Sequence, residues 1–294
     1  MKYHVLYNPL AGNDTCEEKT KKFADALQGG EIEFYDVTKI DYKKLLPTLA
    51  AGDKLVISGG DGTLNKFVNA VSGIDVKNEV LYFATGTGND FFTDIGGKEG
   101  EPVCINRYIT DLPEVEVNGK TYKFINGIGY GIDGYCCEVG DAMKAKGKKN
   151  INYAGIAVKG LLFHYKPRNA KIIVDGYFKK YKKVWLAPCM NGRYYGGGMI
   201  PTPEQDRLSE RGNASVMVYY GSGKLKSLMV FPSIFKGEHV QHTEMVEVIE
   251  GDVITVKFDK PTALQIDGET ILGVSEYTVY SRSAVKAAQN EQTA

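Results

Sequence analysis

From residue 1 to about 115, short β-branched and aromatic runs alternate with longer segments whose apolar positions recur at helical spacing. Residues 3–7, 31–37, 54–58 and 79–84 read as strands, and 16–27 and 64–71 read as helices between them. That alternation predicts βαβ units around a parallel sheet. Beyond residue 115 strand follows strand. Residues 115–117 and 121–125 flank Asn118-Gly119, 171–174 and 177–181 flank Asp175-Gly176, and 264–266 and 270–272 flank Asp267-Gly268. Asn-Gly or Asp-Gly between alternating runs marks a hairpin, because both turn residues tolerate positive φ. The second part therefore reads as mainly antiparallel β, with 215–220 and 245–258 as further strands. One helix interrupts it: Tyr153, Ile156, Ala157, Gly160, Leu161 and His164 keep helical spacing until Lys166-Pro167 stops the pattern.

A chain of 294 residues exceeds the roughly 250–300 at which one hydrophobic core stops growing. Two domains are expected: 1–115, rejoined by a returning tail at 278–294, and 116–277. With 36 Lys+Arg against 36 Asp+Glu the formal net charge is zero, which excludes a nucleic-acid binder that works through bulk basicity. No apolar run reaches the ~18 residues of a membrane span, and Asn8, Pro9 and Gly12 interrupt the amino terminus before a signal-peptide core could form. A cytoplasmic protein is expected. Five cysteines without paired C-x-x-C spacing fit a reducing compartment and argue against a thiolate metal site.

Glycine is abundant, 34 of 294 against a usual share of about 7%, and it gathers where strands of the first domain end. The loops are N-P-L-A-G-N (8–13), G-G-D-G-T (59–63) and G-T-G-N-D (86–90). In a parallel sheet the carboxyl ends of the strands share one edge, so these loops should line one crevice. Glycine allows close backbone approach, and a helix starting beyond each loop offers unpaired amides to an anion such as phosphate. Asp61 and Asp90 lie in two of the loops, where capping of the following helices is the alternative to a functional role. Gly221-Ser222-Gly223-Lys224 lacks the remainder of a Walker motif and reads as a turn. No G-x-G-x-x-G opens a helix, and His239 and His242 read as surface residues.

The segment G-G-D-G-T-L-N (59–65), with N-P-L-A-G before it and G-T-G-N-D-F-F after it, resembles the diacylglycerol kinase catalytic-domain family. Within that family the likeness is to bacterial lipid kinases, relatives of the sphingosine kinases and, at greater distance, of NAD kinases and phosphofructokinases. F-I-N-G-I-G-Y-G-I-D (124–133), G-G-G-M (196–199) and I-D-G-E (266–269) extend it over nearly the whole chain. The resemblance implies an amino-terminal parallel α/β nucleotide-binding domain and a carboxy-terminal antiparallel β-sandwich domain, with ATP and Mg²⁺ in an active-site cleft between them. It implies that Asn8, Thr38, Gly59, Gly60, Asp61, Gly62, Thr63, Asn65 and Thr87 contact the nucleotide or shape its loops. It assigns Asp61, Asp90 and Glu269 to Mg²⁺, and it makes Asp267 or Glu269 the general base, two acids around one glycine that spacing alone does not separate. The implied activity is ATP-dependent phosphorylation of a diacylglycerol-like hydroxyl in phospholipid metabolism. NAD kinase, sphingoid-base kinase and non-catalytic nucleotide-binding regulator are the alternatives.

Two places depart from the family pattern. Lys66 stands where an acid is usual. Glu210-Arg211-Gly212 stands where relatives carry Asp-Asp-Gly for a structural Mg²⁺, so no such ion is expected there, with the Arg211 guanidinium a local positive charge in its stead. Between residues 143 and 183 twelve basic residues face one acid, Asp175. That segment of net charge +11 in a neutral chain is expected to bring the enzyme peripherally to the inner membrane surface, where its lipid substrate lies. A homodimer is compatible with this reading.

Overall fold

The computed structural model describes every residue except 10, 12–15, 28, 29, 149, 150 and 294. The chain divides into two units, Met1–Thr110 and Asp111–Ala294. In the first, strands and helices alternate as β1 (Lys2–Tyr7), α1 (Cys16–Ala26), β2 (Glu31–Asp36), α2 (Tyr42–Leu45), β3 (Lys54–Gly59), α3 (Asp61–Ala70), β4 (Glu79–Ala84), α4 (Asp90–Asp94), β5 (Val103–Cys104) and α5 (Asn106–Ile109). The sheet order is β2-β1-β3-β4-β5, parallel except that β5 runs antiparallel to β4. Val5, Leu6, Leu55, Val56, Ile57, Val80 and Tyr82 are fully buried, as central strands covered on both faces require. The register sets Tyr7 beside Ser58 and Gly59 beside Ala84. The carboxyl ends of β1, β3 and β4 therefore stand together, as the sequence pattern predicts.

The second unit contains β6 (Glu114–Val117), β7 (Lys120–Lys123), β8 (Gly127–Tyr130), α6 (Ile132–Ala145), α7 (Tyr153–Lys159), β9 (Arg168–Val174), β10 (Tyr177–Val184), β11 (Cys189–Met190), β12 (Ala214–Tyr219), α8 (Lys224–Val230), β13 (Val246–Gly251), β14 (Val253–Ile266), β15 (Glu269–Tyr280) and α9 (Arg282–Thr293). Its pairings are antiparallel. The long β14 belongs to two layers. Its first half pairs with β9 and its last three residues with β8, and its register against β15 shifts between Lys257 and Leu264. A strand that bends at irregularities can serve both layers of a sandwich. Between the layers lie Val115, Ile128, Tyr130, Ile172, Val216, Val256, Leu264 and Tyr277, all at most 1% exposed. The three hairpins form where their turns predict, with φ of 51° at Asn118, 50° at Asp175 and 45° at Asp267.

Three expectations change. The segment 245–258 is not one strand: it breaks at Asp252 into β13 and β14. The helix α6 went unread because Gly134 and Gly140 weaken its helical signal. Both glycines are packing requirements, since a Cβ at Gly134 would collide with the Ala263 carbonyl and one at Gly140 would meet the Tyr153 ring. The tail 278–294, expected to return to the first domain, is held within the second unit. Its first residues finish β15, the Arg282 Nη2 donates to the Ser209 carbonyl at 2.6 Å, and the Ser283 amide donates to the Gly212 carbonyl at 3.2 Å. Among the described residues no helix is long and apolar enough to cross a membrane.

Candidate functional site

The site in the first unit is built from the turns that leave β1, β3 and β4. Asn8 closes β1 by donating its amide to the Ser58 carbonyl at 3.2 Å, while its Nδ2 donates to Thr63 Oγ1 at 2.9 Å. Thr63 lies in the first turn of α3, so Asn8 ties the first loop to the second. The loops after β3 and β4 press on each other. A Cβ on Gly86 would fall 2.5 Å from the Gly60 Cα, a contact of backbone on backbone between the two loops. Only glycine fits such a backbone approach. Beneath the loops lies a buried polar group that the sequence did not single out. The hydroxyls of Thr20 and Ser58 are 2.6 Å apart, and the Thr85 Oγ1 donates to Cys16 Sγ at 3.0 Å.

Asp61 binds the two loops most directly. Its Oδ2 accepts from the Asp90 amide at 2.9 Å and its Oδ1 from the Phe91 amide at 3.0 Å. Those amides open α4 and have no partner within the helix. Asn89, at the N-cap position, has φ 51° and gives no side-chain cap, because its Nδ2 is turned to the Gly86 carbonyl at 3.0 Å. Capping does occur here, but Asp61 performs it across the loops for the next helix. Asp90 is 5% exposed at the same place.

The remaining predicted nucleotide residues are placed as follows. Gly60 and Gly62 line the turn into α3, whereas Thr87 is exposed in the loop after β4. Asn65 is 7% exposed within α3, and its Oδ1 accepts from Asn69 Nδ2 at 3.3 Å. Thr38 follows β2 on the same edge, but its hydroxyl and amide both donate to Asp36 Oδ1, at 2.7 and 2.9 Å. Leu10, Gly12 and Asn13 of the first loop lie outside the described residues.

In the second unit Asp267 occupies the β14–β15 turn and is 9% exposed. Its Oδ2 accepts from the Ile125 amide at 2.5 Å, and its Oδ1 accepts from the amides of Asn126 and Gly127 at 2.9 and 3.0 Å. Its own amide donates to the Gly127 carbonyl at 3.1 Å. The carboxylate thus clamps the chain at F-I-N-G, and each of its donors would be weakened if it took a proton. Asp175, in the equivalent turn of the β9–β10 hairpin, does the same for the amides of Asp252 and Val253. Glu269, the first residue of β15, is exposed.

Arg207, which no motif marks in the sequence, completes the clamp. It is 6% exposed and donates from Nη1 to the Ile125 carbonyl and from Nη2 to Asn126 Oδ1, both at 3.1 Å. Asn191 Nδ2 reaches the same Ile125 carbonyl at 2.9 Å. Arg207 thus places a buried positive charge four residues before Arg211. Arg211 is 78% exposed and stands 3.6 Å from Glu250. Ile125, Asn126 and Asp267 lie in motifs that the sequence singles out, whereas no motif marks Arg207 or Asn191. One expectation is corrected here, that His239 is a surface residue. It is fully buried, its Nε2 donates to the Pro201 carbonyl at 3.0 Å, and burial holds its ring below the ordinary value of 6.5.

Among the described residues no group of three His, Cys, Asp or Glu side chains could hold a metal ion unaided. A Mg²⁺ that arrives on nucleotide phosphates needs only one or two protein carboxylates. Asp61, locked by the α4 amides, with Asp90 beside it, fits that demand.

A parallel sheet with glycine loops at its carboxyl edge, followed by an antiparallel β unit, suits a phosphate-handling enzyme, and comparison with known proteins supplies the family. Residues 126–283 match the YegS C-terminal NAD kinase beta sandwich-like domain, and residues 2–113 match the diacylglycerol kinase catalytic domain. The chain belongs to the diacylglycerol kinase catalytic-domain family, with the YegS type of C-terminal domain. It is 23% identical over 257 residues to the diacylglycerol kinase of Mycobacterium tuberculosis (strain CDC 1551 / Oshkosh), covering 83% of this chain and 81% of that one. To the diacylglycerol kinase of Bacillus subtilis (strain 168) it is 23% identical over 281 residues, covering 90% and 88%. Its fold matches the crystal structure of a diacylglycerol kinase from Bacillus anthracis str. Sterne with a TM-score of 0.59 at 17% identity, over 95% of this chain and 93% of that one.

Proposed function

We propose that this protein is an ATP-dependent lipid kinase that transfers the γ-phosphoryl group to the hydroxyl of a diacylglycerol-like lipid. One observation carries the reading: the glycine loops after β3 and β4 are locked face to face by Asp61, in a family whose relatives are named diacylglycerol kinases. Backbone amides at such loops can close on phosphate oxygens without side chains in the way. In the transfer, the lipid hydroxyl oxygen bonds to the γ-phosphorus and the bond from that phosphorus to the β–γ bridging oxygen breaks. ADP leaves with the electron pair, and the hydroxyl proton passes to a carboxylate. Of the two candidate acids, exposure favours Glu269 as acceptor, since Asp267 is buried with both oxygens against backbone amides. Asp267 is then the positioning residue for the F-I-N-G segment. Mg²⁺ on the ATP phosphates would be held by Asp61 and Asp90, and it supplies neutralisation of the charge on the transferred group. The test is transfer of labelled γ-phosphate from ATP into a panel of extracted lipids, with sphingoid bases and NAD as competitors. Label in the diacylglycerol product supports the reading. Label only in NADP or in phosphorylated sphingoid bases overturns it.

We also propose that the outer face of β10, β9 and β14 rests on an anionic leaflet. The basic segment is not uniform: Lys144 is engaged by Asp141 and Lys179 by Glu247, and Lys149 lies outside the described residues. What remains together is a row. Lys180 stands directly across from Lys171, and Lys171 directly across from Lys257. Directly opposed like charges destabilise a sheet, and among the described residues the row's ion pair lies at its end, where Glu276 pairs with Lys257 at 2.6 Å. Tyr177 and Phe178, 85% and 61% exposed at the hairpin tip, extend the same corner. Anionic headgroups would relieve the repulsion, and aromatic rings suit the interface.

A further inference from the structure

A cavity of about 340 Å³ opens in the second unit between α6, the segment leading into β9, and the bent β14 with β15. None of its lining residues belongs to the glycine loops or to the Asp267 clamp. Two hydrogen-bond donors in its lining are buried without use. The Tyr165 hydroxyl, in a residue 4% exposed, stands beside Thr262 but has no partner in hydrogen-bond geometry among the described residues, and Arg168 Nε is buried with none. A buried donor without an acceptor is costly, and native structures rarely keep one unless water, an ion or a ligand meets it. Burial also pushes the Tyr165 phenol well up, so it stays a protonated donor. Lys166 and His164 line the same space, the carboxylate in the lining is that of the exposed Glu138, and the charge of Asp259 also reaches the Tyr165 phenol.

We propose that this cavity is a binding site for a phosphate group, carried free or on a lipid. The chemistry is that of the lining. An Arg fork, a Lys point charge and a phenol present donors, and a phosphate oxygen is an acceptor only. Leu272, 61% exposed at the rim, offers an apolar wall to whatever the phosphate is attached to. The assignment does not depend on the proposed phosphoryl transfer, because none of these residues belongs to the loops given to the nucleotide or the acids given to the reaction.

The experiment is titration calorimetry of the full chain with inorganic phosphate and with the water-soluble dihexanoyl phosphatidate, for the wild type, Tyr165→Phe and Arg168→Gln. Arg168→Gln is expected to weaken phosphatidate binding at least about tenfold, and Tyr165→Phe several-fold. A structural role would not predict the companion result, that Tyr165→Phe melts no lower than the wild type without ligand while losing much of the shift that ligand produces. Phosphatidate binding markedly tighter than inorganic phosphate identifies a lipid headgroup as the source. Equal affinities identify a site that reads the phosphate alone. Binding that is the same in both variants as in the wild type, or no binding into the millimolar range, overturns the proposal.

Discussion

Asp61 and Asp90 meet through the backbone: the Asp61 carboxylate accepts the Asp90 amide at 2.9 Å, and the Phe91 amide beside it at 3.0 Å. The acid of the G-G-D-G turn therefore holds the G-T-G-N-D turn in place, whatever else it binds. Two roles for one side chain can be separated by substitution. Asp61→Ala removes both acceptors and is expected to cost about 1–3 kcal/mol of stability. Asp61→Asn keeps one acceptor and should recover part of that loss in thermal unfolding. Neither should recover turnover, which is expected to fall at least about 10²-fold in both if the charge serves Mg²⁺. Near-wild-type activity in Asp61→Asn would show that the residue is a clasp alone.

The two acids of the β14–β15 turn should respond differently. Glu269 is exposed and Asp267 is buried against three amides. Glu269→Gln is expected to leave the melting temperature unchanged and lower kcat by about 10²–10⁴. Asp267→Asn places an NH₂ group toward amide donors, so it should lower stability by about 1–3 kcal/mol and reduce activity along with it. Retention of more than about a tenth of kcat by Glu269→Gln would return the base to Asp267.

His239 gives the fold a pH dependence of definite sign. Its ring is buried, bonded to the Pro201 carbonyl, and held below the 6.5 of an exposed histidine chiefly by burial, with His242 adding to the effect. The unfolded chain therefore binds the proton first. Stability from this residue is complete above about 6.5 and is lost as pH falls through that value toward the lower folded one. Urea unfolding of the wild type and His239→Gln, compared at pH 7.5 and 5.5, should show a steeper acid loss in the wild type. Identical losses would remove His239 from the account.

The lysine row should be visible in membrane binding. Sedimentation with phosphatidylglycerol vesicles is expected to capture the protein at low salt and release it as salt rises, with little binding to phosphatidylcholine. Lys180→Glu with Lys171→Glu should abolish capture, and Tyr177→Ser with Phe178→Ser should weaken it. Lysines also guard an edge strand against pairing with another chain, and β10 is such a strand. Variants that bind vesicles normally but aggregate would assign the row to that protective role.

Much of the fold was legible because it is written in local signals. Strand and helix periods in the first unit, the Asn-Gly and Asp-Gly turns of the second, and the glycine clusters at strand ends each depend on a few consecutive residues. The helix α6 was not legible, because its two glycines serve contacts with Ala263 and Tyr153, residues 129 and 13 positions away from Gly134 and Gly140 respectively. His239 and Arg207 were missed for the same reason: a polar residue reads as exposed until its buried partner is known. Asp175 and Asp267 show the limit most clearly. They occupy the same kind of turn and make the same kind of amide clamp, and motif order alone set one of them apart.

By itself, then, the sequence determined the two-part architecture, the edge on which the glycine loops gather and the family, since periodicity, turn chemistry and ordered motifs are properties of neighbours along the chain. The tertiary structure alone decided what the acids touch. Asp61 caps a helix that begins 29 residues later, Asp267 holds a loop 140 residues earlier, and the lysines of three strands fall into one row. Those relations arise from strand register and loop packing, which bring together residues whose spacing in the sequence carries no trace of the contact.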